Sequence, residues 1–352
     1  MKHASVTNRS PAPRGDSGRR RSWSGLIGLA ALAAGLASPA ARAQAWEPTA
    51  PVEIVVPAGQ GGGADQLARL IQSVVQKHSL MRQPISVVNR PGDSGAEGLL
   101  DMKSSTGNPH KLVITLSSVF TTPMSTGIKF NWRDLTPISM MALDQFVLWV
   151  PADASYRSAR EAIAAIANQP PGTFKLGGTG TKQEDQLLAV LVETAAGKRL
   201  NYVPLRGGGD VAKALAAKEV DFTVNNPIEA EALWREGRVR PLCVFDGAPL
   251  GVAGRITRDR GWSDLPTCMA EGVPAQYLML RGVFAPAGIT PAQAAFWQSL
   301  LTRVREQPEW REYMQRGALK DQTLSGPAFV DWLDRTERFH RVLMREARLL
   351  AR

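Results

Sequence analysis

Two kinds of apolar pattern alternate along the chain. Short β-branched or leucine-rich runs are followed by stretches in which apolar residues return every third or fourth position, and glycine- or hydroxyl-rich segments separate the two. Ile54-Val55-Val56 carries the signature of a buried strand, and Pro57 ends it. Ala64, Leu67, Ala68, Ile71, Val74 and Val75 then recur at helical spacing. Between them lie Gly59, Gly61, Gly62 and Gly63, and Asp65 is placed to cap the helix with its carboxylate. The order strand, small polar loop, helix recurs. Ile85–Val88 leads through the loop Asn89–Gly98 to a helix carrying Leu99, Leu100 and Met102, and Leu112–Leu116 leads into a polar loop with Ser117, Ser118, Thr121 and Thr122. Asn131–Pro137 reads as a turn-rich connector.

Phe146–Val150 reads as a strand crossing into a second half with the same rhythm. Phe174–Leu176 runs into Gly177, Gly178, Thr179, Gly180 and Thr181, then a helix from Gln183. Asn201–Val203 leads to Arg206-Gly207-Gly208-Gly209 and a helix capped by Asp210, and the strand Asp221–Val224 leads to Asn225-Asn226-Pro227 and another helix. Val239–Phe245 is a further strand, and Leu280–Phe284 reads as the return crossing. The remainder is helical, with a tail from Pro327 whose arginines form a solvated basic face over an apolar underside. The pattern predicts an α/β protein of two domains, 46–149 together with 280–352, and 150–279, with 1–45 as an export signal.

Loops at the carboxyl ends of parallel strands are where open α/β sheets bind ligands. Glycine there leaves backbone N–H groups uncovered at the positive end of a helix, which suits a carboxylate or a phosphate. Gly59-Gln60-Gly61-Gly62-Gly63-Ala64 also fits the dinucleotide fingerprint G-x-G-x-x-A. That motif needs an acid after the second strand to hold the ribose, and this chain has Asn89-Arg90-Pro91. A Walker phosphate loop is excluded, because Lys182 lacks the G-x-x-x-x-G-K-[ST] spacing.

The formal net charge of +10 on 352 residues would suggest a nucleic-acid binder were it not so placed. Seven basic residues against Asp16 lie in the first 45 positions, which leaves +4 scattered over the rest, so no nucleic-acid partner is expected. Those 45 positions read as a signal peptide: a basic stretch ending in Arg19-Arg20-Arg21, an apolar run Leu26–Ala37, and the small-x-small site Ala43-Gln44-Ala45. The arginine pair resembles a twin-arginine signal, with general secretion as the alternative route. The apolar run is too short to span a bilayer, so a periplasmic protein is expected. Cys243 and Cys268 could pair in that oxidising compartment or remain two buried thiols. No H-E-x-x-H, no G-x-S-x-G elbow and no histidine in a glycine loop supplies a catalytic or metal-binding set. The loops read as rich in donors and poor in carboxylates, with Arg206 as the one cation near them, either pairing with a ligand or orienting Gly207–Gly209.

Six segments, taken in order, resemble one family: "VPAGQGGGADQLAR", "NRPGDSGAEG", "ITLSSVFTTP", "GGTGTKQEDQLL", "VPLRGGGDVAKALAAKEVDFTVNNPIEA" and "RGVFAPAGITP". They are similar to the Bug-type solute-binding receptors of tripartite tricarboxylate transporters. The resemblance implies a periplasmic-binding-protein fold of the second type, with a ligand held between two domains that close by hinge motion. It implies a small carboxylate, di- or tricarboxylate and citrate-like, handed to transporter membrane subunits by a monomer that needs no cofactor or metal. Together with the loop reading it makes Ala58, Gly59, Gly61, Gly62, Gly63, Asp65, Ser94, Gly95, Ser117, Ser118 and Thr121 the candidate contacts from the first domain. Gly178, Thr179, Gly180, Thr181, Arg206, Gly207, Gly208 and Asn225 are those from the second. An exported enzyme or a sensory adaptor using the same cleft are the alternatives.

Overall fold

The computed structural model describes residues 46–351, so the expected signal peptide and its cleavage site lie outside the described residues. The first sheet is built from β1 (Val52–Val56), β2 (Ile85–Asn89), β3 (Lys111–Thr115) and β4 (Leu135–Gln145), with α1 (Gly63–Lys77), α2 (Ala96–Ser104) and α3 (Ser118–Thr126) between them. The second contains β5 (Val147–Pro151), β6 (Lys175–Thr179), β7 (Asn201–Leu205), β8 (Phe222–Thr223) and β9 (Val239–Val244). Its helices are α4 (Ala159–Ala167), α5 (Glu184–Ala196), α6 (Gly208–Ala216) and α7 (Pro227–Arg235). Strand β10 (Leu278–Pro286) returns to the first sheet, and α8 (Pro291–Arg305), α9 (Pro308–Arg316) and α10 (Gly326–Glu346) follow.

The two sheets repeat one topology. The first has the order β2-β1-β3-β10-β4 and the second β7-β6-β8-β5-β9. In each, three parallel strands are joined by helical crossovers, and two antiparallel strands complete the sheet. The inner parallel strands β1 and β3 are buried on both faces, which is why their sequences read as continuous apolar runs, whereas the edge strands β2 and β7 are partly exposed. Val55, Val56, Val113 and Ile114 are all fully buried, each contributing about 1.5–3 kcal/mol by leaving water. The two-domain α/β expectation holds.

Two elements differ from the sequence reading. The segment expected to be a connector continues from Leu135 into the eleven-residue β4, which pairs along its whole length with β10. Pro137 faces that partner at a register shift, where the missing N–H costs least. The hydroxyl-rich stretch after β3 is not a loop but α3, with Ser118, Thr121 and Thr122 buried on it. Helix α10 serves both lobes. Phe329 and Leu333 pack on the first core, whereas Met344, with Leu349 just beyond the helix, packs in the second with Phe146 and Tyr277. Cys243, on β9, is bonded to Cys268, and both are fully buried in the second lobe, so pairing replaces the two-thiol alternative. Among the described residues no helix is long and apolar enough to cross a membrane.

Candidate functional site

The carboxyl ends of the parallel strands in both sheets meet at a small cavity of about 40 Å³ between the lobes. From the first lobe, Ala58, Gly62, Gly63, Ala64 and Ser118 line it, and from the second, Thr179, Gly207 and Gly208. The first turns of α1 and α6 therefore open on this space, where helix N-termini leave N–H groups without intrahelical partners. Helix α1 begins at Gly63 with Gly62 as its N-cap, three residues earlier than an Asp65 cap would place it, and α6 begins at Gly208 rather than after Asp210.

The first loop is held from behind. Asp65 accepts from the Gly61 N–H at 3.0 Å, from Arg69 Nε at 3.0 Å and from Asn89 Nδ2 at 3.0 Å. Asn89 also donates to the Ala58 carbonyl. Burial alone would raise the Asp65 carboxyl, but Arg69, the Gly61 amide and Asn89 outweigh it and hold it below the usual range. Asp65 is thus a brace that faces away from the cavity. Under the loop lies Arg281 of β10, fully buried and paired with the equally buried Asp144 of β4. Asp144 keeps this guanidinium firmly protonated despite its burial. A Cβ on Gly63 would sit 2.1 Å from the Arg281 guanidinium, so glycine is required there by close approach and not by backbone angle.

The second lobe brings side chains that the sequence reading did not place. Glu184 and Asp185, at the start of α5, line the cavity, as do Gln183 and, on α7, Glu229. Glu184 is pushed up to about 7 by burial, partly offset by its own amide, the Ser118 amide and the Thr121 hydroxyl. Asp185 is pushed well above the usual carboxylate range, first by burial and then by Glu229, against the pull of the Thr179 N–H that donates to it at 2.7 Å. Glu229 reaches across the lobes. Its Oε1 accepts from the Gly63 N–H at 3.2 Å, and its Oε2 accepts from Asn225 Nδ2 at 3.0 Å and the Asn226 N–H at 3.1 Å. A Cβ on Gly208 would fall 2.0 Å from the same carboxylate.

Several candidate contacts serve other ends. Arg206 is exposed and lines an open groove on the outer side of α6 with Asp210 and Lys213, so it is not the cleft's cation. Its carbonyl instead faces Gly59 across the lobes, 2.9 Å from where a Cβ would be. Asn225 is fully buried and ties Gly208 to Glu229. Ser117 accepts from the Leu280 N–H under β10, and Thr121 is buried beside Glu184. Gly178 lies within β6, where the Tyr202 ring and Asp185 close over it. Gly61, Gly95 and Gly180 take positive φ angles and shape their turns. Ser94 and Thr181 meet at the rim, with Ser94 Oγ 3.4 Å from the Thr181 carbonyl, and Gln183 Nε2 donates to the Ser94 carbonyl. The loops are therefore not poor in carboxylates: three acids and no Lys, Arg or His line the cavity. No sequence signal marked Arg281, Asp144 or Glu229, whereas Glu184-Asp185 was visible as an acidic pair opening a helix.

The family model for the tripartite tricarboxylate transporter family receptor matches residues 67–329. The chain belongs to that family. Its members are solute-binding receptors, not enzymes. This receptor is 26% identical to the BugT protein of Bordetella pertussis, across 76% of its own length and 79% of that protein. It shares its fold with MatC of Rhodopseudomonas palustris with bound malate, at a TM-score of 0.72 and 20% identity over 84% of this chain and 99% of that one. A second R. palustris protein, solved with adipate, gives 0.76 and 20% over 85% and 98%.

Proposed function

We propose that this receptor captures a small organic carboxylate between its lobes in the periplasm, after removal of residues 1–45, and hands it to the membrane subunits of a tripartite tricarboxylate transporter. The observation that carries the reading is the junction of Gly63, Gly208 and Glu229, where a first-lobe amide, the Gly63 N–H, already holds a carboxylate supplied by the second lobe. A site that satisfies one carboxylate with neutral donors is built for another. Ala58, Gly62, Gly63, Ser118, Thr179, Gly207 and Gly208 are the proposed contacts. The structural relatives solved with malate and adipate support a carboxylate of that size class. The ligand touches both lobes only when they are closed, so it favours that state, with the β4–β5 and β9–β10 connections as the proposed hinge.

The test is a thermal-shift and calorimetric screen of small mono-, di- and tricarboxylates on the chain from Trp46. A ligand at a hundred times its Kd stabilises the closed form by about 2.7 kcal/mol and moves the melting point in a saturable way. A melting point that none of them moves overturns the reading.

A further inference from the structure

The two acids that open α5 beside the cavity are buried more deeply than their bonds within the fold account for. Glu184 is only 4% exposed and Asp185 6%. Glu184 Oε1 is buried without a hydrogen-bond partner while its side chain lines the cavity. Asp185 accepts one N–H, from Thr179, and no cation is paired with either acid. Burial of such groups is costly unless a donor or an opposite charge meets them. The cavity lining supplies no opposite charge, since it contains Glu184, Asp185 and Glu229 and no Lys, Arg or His, and its donors leave Glu184 Oε1 unmet. The one buried guanidinium nearby, Arg281, lies beneath Gly63 and is taken by Asp144.

Resting on the reading of this cleft as a carboxylate site, we infer that its ligand carries an ammonium group as well: the carboxylate end meets first-turn amides of α1 and α6, and the ammonium end meets Glu184 and Asp185. An ammonium has three donors and a charge opposite to the acids, so it satisfies the vacant Glu184 oxygen. A second ligand carboxylate at the same place offers no donor and is tolerated only while both acids keep their protons, whereas an ammonium stabilises them once ionised. The two lobes then divide the recognition, with main chain reading the anion and side chains reading the cation.

Pairs of ligands that differ at one end test this directly: succinate with 4-aminobutanoate, glutarate with 5-aminopentanoate, and adipate with 6-aminohexanoate, each titrated calorimetrically against the chain from Trp46. The expected result is at least tenfold tighter binding of the amino member in the pair whose length fits. The preference should shrink to threefold or less in Glu184→Gln and Asp185→Asn, with melting curves confirming that each variant is folded. Tighter binding of the dicarboxylate member overturns the ammonium inference and leaves the receptor reading standing. A preference for the amino member that both variants retain also overturns it, because the acids would then not be its source. Failure of every member of all three pairs while another carboxylate of the wider screen binds overturns the ammonium inference alone, and failure of the whole screen overturns both.

Discussion

The two loops that open α1 and α5 look alike in sequence and behave differently in the fold. Each follows a parallel strand, each is rich in glycine, and each places acids in the first helical turn, Asp65 in one and Glu184 with Asp185 in the other. In the first loop the acid turns back, pairs with Arg69 and Asn89, and stiffens the backbone that faces the cavity. In the second, the acids turn toward the cavity without a cation beside them. The first loop presents main chain held by side chains, and the second presents side chains held by main chain. An acid in the first turn of a helix is favourable in either arrangement, so the helix itself does not decide which way it points. The groups behind the loop decide it.

The largest effect should come from removing what lies behind the first loop. Arg281→Met leaves Asp144 as an uncompensated charge at zero exposure, and breaking such a pair from one side costs about 3–5 kcal/mol. Chemical denaturation should show a loss of that size, and Asp144→Asn together with Arg281→Met should recover much of it. A single variant as stable as the parent would mean that the loop is not supported from below. Glu184 has no such counterpart, so its neutralisation should not destabilise the second loop.

Next in size is a change confined to the cavity face. A Cβ on Gly62 would make only ordinary contacts, 3.6 Å from the Gly59 carbonyl oxygen, 3.8 Å from the Gly208 nitrogen and 3.9 Å from Glu229 Oε1, and its φ of −73° suits any residue. Gly62→Asp should therefore fold, since aspartate is also a favoured residue at that helix N-cap. It should weaken carboxylate binding by a factor of about 100, or about 2.7 kcal/mol, because a negative group enters beside the amides. Unchanged calorimetric affinity in the folded variant would remove Gly62 from the ligand's path.

How far the sequence showed this division follows from where each signal resides. Glycine between a strand and a helix is a local signal, so Gly62, Gly63, Gly207 and Gly208 could be named as candidates from the loop pattern together with the family resemblance. The repeated strand, loop and helix order likewise exposed the paired topology. Arg281 and Asp144 could not be placed, because β10 reaches β4 from more than a hundred residues away and the pair forms only under α1. Glu229 drew no notice in the sequence: it caps α7, and its other oxygen crosses to Gly63 only after the lobes meet. Arg206 was overvalued for the same reason: neighbouring glycines place its backbone at the cleft, while its side chain follows the outer face of α6. Strand β4 was missed because Pro137 and its polar neighbours resemble a turn when the partner strand is out of view.

The smallest and most specific effect is in the pH dependence of stability. Glu184 has its carboxyl raised from 4.5 to about 7 by burial. The folded state thus holds a proton that the unfolded chain has released between those values, and this contribution to stability is full below about pH 4.5 and lost as pH rises through 7. Asp185 acts in the same direction. His340 acts in the opposite one: buried against Tyr277 and Phe120, it is held neutral down to about 4, so stability is lost as pH falls from 6.5 toward 4. Between pH 4.5 and 6.5 the two trends oppose each other in the parent. Glu184→Gln weakens the first of them. The variant should gain on the parent by about 1–3 kcal/mol on going from pH 4.5 to pH 8, and its own stability should fall more steeply on acidification below 6.5, where His340 is then opposed by Asp185 without Glu184. The comparison is read as the difference between the two melting curves across that range in the absence of ligand. A difference that stays constant with pH would mean that Glu184 is solvated in the free receptor, and that the second loop does not hold its acids in the cavity until something binds.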